Sequence, residues 1–222
     1  MHNLYNLTLI IPAKENKKNI KYILKQLKIY NLKKIIILDS KNFICKNTND
    51  TFYYIQKKSG YGSAIIEGIQ KVKTKFFCIY NADGSFSPEE LGLMYNNLKE
   101  NDFVFGSRYK KGGYSEDDTL TTKLGNFFFT KIGQIFFSLK LDDILYTYVM
   151  GDTKKIKKLK MTSHDFCFCI ELPIKIKMKN YKYTSIPSYE KARYSGIKKV
   201  NEIKDGLKIF FKMIYYFFKN KY

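Results

Sequence analysis

Through its first hundred residues the chain alternates short apolar runs with longer stretches in which apolar side chains recur every three or four positions. Residues 7–11 (LTLII) form one such run, closed by Pro12, and residues 34–38 (KIIIL) another, stopped by Asp39. Residues 76–80 (FFCIY) and 103–105, the latter ended by Gly106, follow the same pattern. Runs this short and apolar predict buried strands, and the β-rich residues 51–56 (TFYYIQ) predict a further one. Between them, Ile20, Ile23, Leu24 and Leu27 mark a helix over residues 17–30, and Ala64, Ile65, Gly68, Ile69 and Val72 mark one over 62–72. Ser87-Pro88-Glu89-Glu90 reads as a helix start, with a capping serine, proline at the first helical position and acids in the first turn; that helix extends to about Lys99. The order βαβ-β-αβαβ predicts an α/β fold with a mostly parallel central sheet flanked by helices.

Such sheets bind ligands beyond the carboxyl ends of their strands. The segments that fall there are residues 12–16, 39–40, 57–62, 81–85 and 106–109, and they collect glycine and polar side chains. The second half is less regular. Residues 110–118 (KKGGYSEDD) predict a mobile loop, 119–139 a long aromatic helix and 143–150 a strand. Residues 165–179 predict a helix interrupted by Pro173, 183–186 a strand and 188–199 a polar loop. A final amphipathic helix covers 202–219. The chain is thus expected to divide into a domain over 1–200 and a helical tail over 201–222.

Composition bears on partners more than on fold. Of 222 residues, 45% are hydrophobic and 17% aromatic, enough for a buried core and unlike a disordered chain. The formal charge of +20 favours an anionic partner, whether phosphorylated substrate, membrane lipid or nucleic acid. The lysines are spread along the whole chain, as a global compositional bias also produces, and they form no dense cluster or nucleic-acid motif, so no specific nucleic-acid partner is expected. Cys45, Cys78, Cys167 and Cys169 contain no C-x-x-C pair and read as reduced thiols of a cytosolic protein; with His2 and His164 they make no zinc set. No run reaches the roughly 18 apolar residues that span a bilayer, and no signal-peptide pattern is read at the N-terminus. Cytoplasmic location, peripheral on the inner membrane face, is expected. Residues 207–218 (LKIFFKMIYYFF), with Lys204, Lys208, Lys212 and Lys219, suit a helix lying in the interface of an anionic bilayer. The same pattern suits packing on the domain or against a second copy, and the oligomeric state stays open.

The sharpest chemical feature is Asn81-Ala82-Asp83-Gly84-Ser85, directly after a buried strand. A carboxylate at a strand end is placed to hold Mg2+ or Mn2+, which prefer oxygen ligands and share them with substrate phosphates; a plain turn is the alternative. Other segments stand in series with it: I-P-A-K-E-N-K-K-N-I at 11–20, I-I-L-D-S at 36–40, S-G-Y-G-S-A at 59–64, F-G-S-R-Y at 105–109, D-D-I-L-Y-T-Y around 142–148, F-C-F-C-I-E at 166–171 and R-Y-S-G-I-K-K at 193–199. In this order they resemble the family 2 glycosyltransferases of GT-A fold, nearest the polyprenyl-phosphate (dolichyl-phosphate) mannosyl- and glucosyltransferase branch. The likeness covers about residues 7–210. A dinucleotide oxidoreductase fits less well, because Ile65 stands where the third glycine of its fingerprint belongs.

The resemblance implies an inverting transfer of a hexose from a GDP- or UDP-sugar to a polyprenyl phosphate, with a glycan hydroxyl as the alternative acceptor and an inactive scaffold as a further one. It implies that Pro12, Ala13 and Glu15 line the nucleotide pocket, with Asp39 against the base and Gly60 and Gly62 also among the donor-binding residues. Asp83 is the expected principal metal ligand, helped by Ser85, with Asn81 facing the ribose or a metal-bound water and Ala82 also among the donor-binding residues. Arg108, Arg193 and Lys199 are expected at phosphates, where a planar guanidinium fits oxyanions; pairing with acids or solvent is the other reading of each. Asp165 is read either as a general base for a hydroxyl acceptor or as a helix cap, and Asp117, Asp118 and Asp143 are weaker candidates. The chain departs from the family pattern at Glu15-Asn16, which is swapped, at Ser40 and Asn81, which replace acids, and at Thr147 and Lys198, which replace glycine and serine.

Overall fold

The structure, a computed structural model, describes residues 2–14, 17–39, 46–196 and 201–219. The apolar runs pair into one seven-stranded sheet. Its members in chain order are β1 (His2–Ala13), β2 (Tyr30–Leu38), β3 (Thr51–Ile55), β4 (Phe76–Ile79), β5 (Phe103–Ser107), then, past the two-residue β6 (Tyr114–Ser115), β7 (Val149–Asp152) and β8 (Tyr183–Pro187). The spatial order is β3-β2-β1-β4-β7-β5-β8, parallel throughout except for β7, which runs antiparallel to both β4 and β5. β6 pairs with β9 (Tyr189–Glu190) in a separate two-stranded ribbon.

Alternation along each strand divides the core. On one face Leu9 and Ile11 of β1 pack with Ile20 and Ile23 of α1 (Lys17–Gln26) and with Leu91 and Met94 of α3 (Glu90–Asn97). On the other, Ile10 packs with Ile65 and Ile69 of α2 (Tyr61–Lys71) and with Phe168 and Leu172 of α6 (Phe168–Met178). Gly68 lets α2 close on the sheet, since a Cβ there would lie 2.3 Å from Ile10 Cγ2. A third cluster joins α4 (Leu120–Phe137), α6 and α7 (Glu202–Lys219) through Phe129, Ile170, Ile174, Ile209, Met213 and Tyr216. The short α5 (Thr153–Lys158) follows β7, capped by Asp152, whose carboxylate accepts from Lys155 N at 2.8 Å.

Several local expectations give way to side-chain bonding. The strand predicted over 143–150 starts only at Val149: Asp143 is bound to Arg108, and the Tyr148 hydroxyl donates to the Ser87 carbonyl at 2.8 Å. Ser87 is therefore buried and does not cap α3, which begins at Glu90 without a side-chain cap. The Glu90 carboxylate instead accepts from the Ser188 hydroxyl at 2.5 Å and Tyr189 N at 2.6 Å. The helix predicted over 17–30 ends at Gln26, passes through a 3-10 turn at Leu27–Ile29, and Tyr30 opens β2. The loop expected to be mobile over 110–118 is tied down by the β6–β9 ribbon, with Glu116 accepting from Tyr189 Oη and from Ala192 N.

Candidate active site

The carboxyl ends of β1 to β4 open on a cavity of about 1100 Å3. Pro12, Ala13 and Asp39 line one end, Asn81, Ala82 and Asp83 its middle, and Leu120, Leu124, Phe128, Ile203 and Gly206, from α4 and α7, the other. Gly60, Arg108 and Arg193 also face it. Asp39 pairs with Lys14 at 3.5 Å.

The turn after β4 is tightly held. Asp83 Oδ1 accepts from Ser85 N at 3.1 Å and from Ser85 Oγ at 2.8 Å. Gly84 adopts φ +82°, the left-handed region that suits glycine, and the stacked rings of Tyr22 and Tyr194 (4.0 Å, 8°) close over it. Tyr194 N donates to the Asp83 carbonyl at 2.9 Å and Lys191 N to the Ser85 carbonyl at 2.8 Å. Residues 191–195 thus clamp the turn, and Asn19 anchors them by donating to the Ser195 carbonyl at 3.0 Å while accepting from the Ser195 hydroxyl at 2.7 Å.

Asp83 Oδ2 lies 3.8 Å from Nη1 of Arg193, whose Nε and Nη2 both donate to Asp117 Oδ2 at 3.0 and 2.8 Å. Burial lowers the Arg193 pKa, but Asp117 and Asp83 outweigh it and raise it, so the guanidinium is a fixed cation. Asn81 is oriented from behind. The Tyr61 hydroxyl donates to Asn81 Oδ1 at 2.9 Å and lies 2.6 Å from Thr147 Oγ1, while its ring stacks on Phe166. Burial raises the Tyr61 pKa and keeps the hydroxyl protonated. Asn81 Nδ2 is left without a partner among the described residues.

Arg108 is enclosed by carboxylates. Its Nε and Nη2 form a fork with Asp143 at 2.7 and 3.0 Å, and Nη1 donates to Glu190 at 3.0 Å and Asp118 at 3.3 Å. Burial lowers its pKa and Asp143 raises it, with a net rise. Burial also raises the Glu190 pKa, against the Arg108 charge. Asn126 completes the cluster, its amide placed to accept from Arg108 Nη2 at 2.8 Å and donate to Asp143 Oδ1 at 3.2 Å.

Four expected positions take other places. Arg108, expected at phosphates, has its donors engaged by acids and acts as the tie of the β5 end. Ser85 is buried with its hydroxyl given to Asp83, so it supports the carboxylate and does not face the cavity. Gly62 lies under the 163–165 backbone, where a Cβ would meet the Ser163 carbonyl at 2.3 Å; it is a packing glycine. Asp165, expected as base or cap, lies off the cavity wall. It accepts from Cys167 N at 3.0 Å and sits 3.9 Å from Lys208 of α7. Glu15 and Lys199, with Asn16, Ser40 and Lys198, lie outside the described residues. Tyr61 and Glu190 were not legible as site residues. Tyr61 occupies a variable place between two glycines, and Glu190 stands in no motif.

No group of three His, Cys, Asp or Glu among the described residues forms a metal set. Asp83 fits a hard divalent cation that completes its shell from phosphate oxygens and water, because one carboxylate oxygen is fixed by Ser85 and the other accepts no hydrogen bond among the described residues.

Comparison with known proteins bears on the fold and the family. The fold matches glucosyl-3-phosphoglycerate synthase from Mycobacterium tuberculosis, solved with Mn2+, uridine diphosphate and phosphoglyceric acid, at TM-score 0.70 and 10% identity over 95% of this chain and 78% of that one. It also matches mannosyl-3-phosphoglycerate synthase from Rubrobacter xylanophilus at TM-score 0.69 and 10% identity, over 97% and 74%. The family model described as glycosyl transferase family 2 matches residues 8–160, more than half of the sequence, from within β1 to just past α5. The chain belongs to glycosyl transferase family 2 and is a glycosyltransferase.

Proposed function

We propose that the chain transfers a hexose from a nucleoside diphosphate sugar to a polyprenyl phosphate at a membrane face, with inversion at the anomeric carbon. The observation that carries this reading is one continuous cavity, which runs from the strand-end pocket at Pro12 and Asp39, past Asp83, to apolar walls on α4 and α7. The polar end suits a nucleotide and the apolar end a prenyl chain. A structural neighbour was solved with uridine diphosphate together with phosphoglyceric acid, a second ligand that carries a phosphate.

In this reading a phosphate oxygen of the acceptor attacks the anomeric carbon as the bond to the nucleoside diphosphate breaks. Such a nucleophile is already ionised and needs no strong base. Three carboxylates of the cavity wall are engaged by arginines, Asp117 by Arg193 and Asp118 and Glu190 by Arg108, which favours this nucleophile over a glycan hydroxyl that would need a free base. A Mg2+ or Mn2+ ion on Asp83 would neutralise charge on the departing diphosphate. Arg193 adds a fixed cation beside it, and Asn81 Nδ2 offers a donor to a ribose or sugar oxygen.

Calorimetry with GDP-mannose, UDP-glucose and UDP-GlcNAc, with and without Mn2+, tests the donor half. One donor is expected to bind in a metal-dependent way, with binding lost in Asp83→Ala. Absence of binding to every donor would leave a scaffold. Turnover of a short prenyl phosphate, compared with a glycan acceptor, tests the other half.

A further inference from the structure

α4 and α7 lie side by side and parallel. Thr122 of α4 donates to Glu202 of α7 at 3.0 Å, and further along Phe128 meets Phe210 (6.4 Å) and Phe136 meets Phe217 (5.4 Å). Each helix is 18 residues long, roughly 27 Å. Each buries one face in the third core cluster yet carries a second apolar row on its outer side. On α4 this row includes Leu124, Phe127 and Ile135, and on α7 Leu207, Phe211 and Phe218, all more than half exposed. The spacings of three, four, seven and eight keep each row on one side of its helix. Two adjacent rows make a continuous outer face, where isolated apolar residues would need no explanation.

Charge says what covers this face. α4 holds no acid and carries Lys123 and Lys131; α7 holds its acids only at Glu202 and Asp205, in its first turn, followed by Lys208, Lys212 and Lys219. The Lys131 ammonium lies over the Phe127 ring and the Lys219 ammonium over the Tyr215 ring, each 5.5 Å from the ring centre, so cations stand directly beside the aromatic side chains of this face. A second copy docked on this face would bring lysine rows together with no acid on α4 to pair with them. Neither helix is apolar enough to cross a bilayer, and an amphipathic face of aromatic and lysine residues suits the interfacial plane. The cavity also opens here, since Leu120, Leu124, Phe128, Ile203 and Gly206 line both its wall and the start of this face.

We propose that α4 and α7 together form the docking surface for an anionic lipid bilayer, with the cavity mouth turned toward the lipid. This deepens the functional reading, since it rests on that reading only for the identity of what enters the cavity; docking itself stands on the two helices. Flotation of the full chain with vesicles tests it. Binding to phosphatidylcholine vesicles containing phosphatidylglycerol is expected to exceed binding to phosphatidylcholine alone at least tenfold. The triple variant Phe127→Ser, Ile135→Ser, Phe211→Ser should lose at least tenfold of that binding, and Lys123→Glu with Lys131→Glu and Lys219→Glu should lose the preference for anionic lipid. None of these side chains lines the cavity, so nucleotide-sugar binding by calorimetry should be unchanged in the same variants, which separates failure of docking from failure of the donor site. Vesicle binding that survives the triple serine variant would overturn the proposal. So would a lipid-free dimer in light scattering that dissociates in that variant without vesicle binding by the wild type, which would give the face to a second copy.

Discussion

The Tyr61 hydroxyl joins two positions at which this chain departs from the pattern it resembles. Thr147 replaces a glycine and Asn81 an acid, and Tyr61 stands between them, bonded to both. The amide oxygen is therefore occupied and a neutral donor is presented in place of a charged acceptor. Tyr61→Phe keeps the ring on Phe166 and removes both of these bonds. It is expected to cost about 1 kcal/mol of stability in urea titration and to raise the nucleotide-sugar Kd several-fold, as the freed amide reorients. Arg108 makes a harsher test. Arg108→Ala leaves Asp143, Asp118 and Glu190 buried without their cation, and a loss of about 3–5 kcal/mol is expected, measured by denaturant unfolding. Arg108→Lys keeps the charge without the fork and should fall between the two.

Among the elements, α6 and the 162–163 loop before it are joined by one carboxylate. Glu171 accepts from Thr162 N at 2.9 Å and Ser163 N at 2.6 Å and pairs with Lys175 at 2.6 Å. Burial works against its ionisation, but Lys175 and the loop donors prevail and hold its pKa down at about 2. A depressed carboxylate stabilises the fold above the ordinary glutamate range, and that contribution disappears as pH falls from about 4.5 toward 2. Thermal melts should therefore show wild type losing up to about 3 kcal/mol relative to Glu171→Gln across that window, with Glu171→Gln less stable at neutral pH. How well elements were legible follows from what specifies them. β1 to β5, α2 and α7 announce themselves through apolar periodicity, because the core reads that pattern directly. β7 was placed too early, since Tyr146 and Tyr148 alternate like a strand but are buried to serve Arg108 and Ser87. β6 and β9, two residues each, carry no periodic signal. Pro12, Asp39, Asn81 and Asp83 could be grouped because strand ends converge, whereas the arginine–carboxylate pairings of Arg108 and Arg193 depend on contacts between distant segments.

For the molecule as a whole, the +20 charge is a long-range field and the cavity a short-range one. Retention of generic nucleic acid or heparin should fall steeply between about 50 and 200 mM salt, without sequence preference. Nucleotide-sugar binding, set by groups inside the cavity, should change much less over the same range. Filter binding beside calorimetry at the two salt concentrations distinguishes them, and a shared slope would mean that the nucleotide is held by surface charge.

The clamp over the turn at Asp83 has a consequence for how the enzyme comes into being. Asn19 and Ser195 meet across 176 positions and Asp117 and Arg193 across 76. A nascent chain displays Asp83 and the strands around it on the ribosome long before Tyr194 arrives to close over Gly84. β1 to β4 can pair with one another first, and the turn at Asp83 is closed only when residues 191–195, made more than a hundred positions later, fold back onto it.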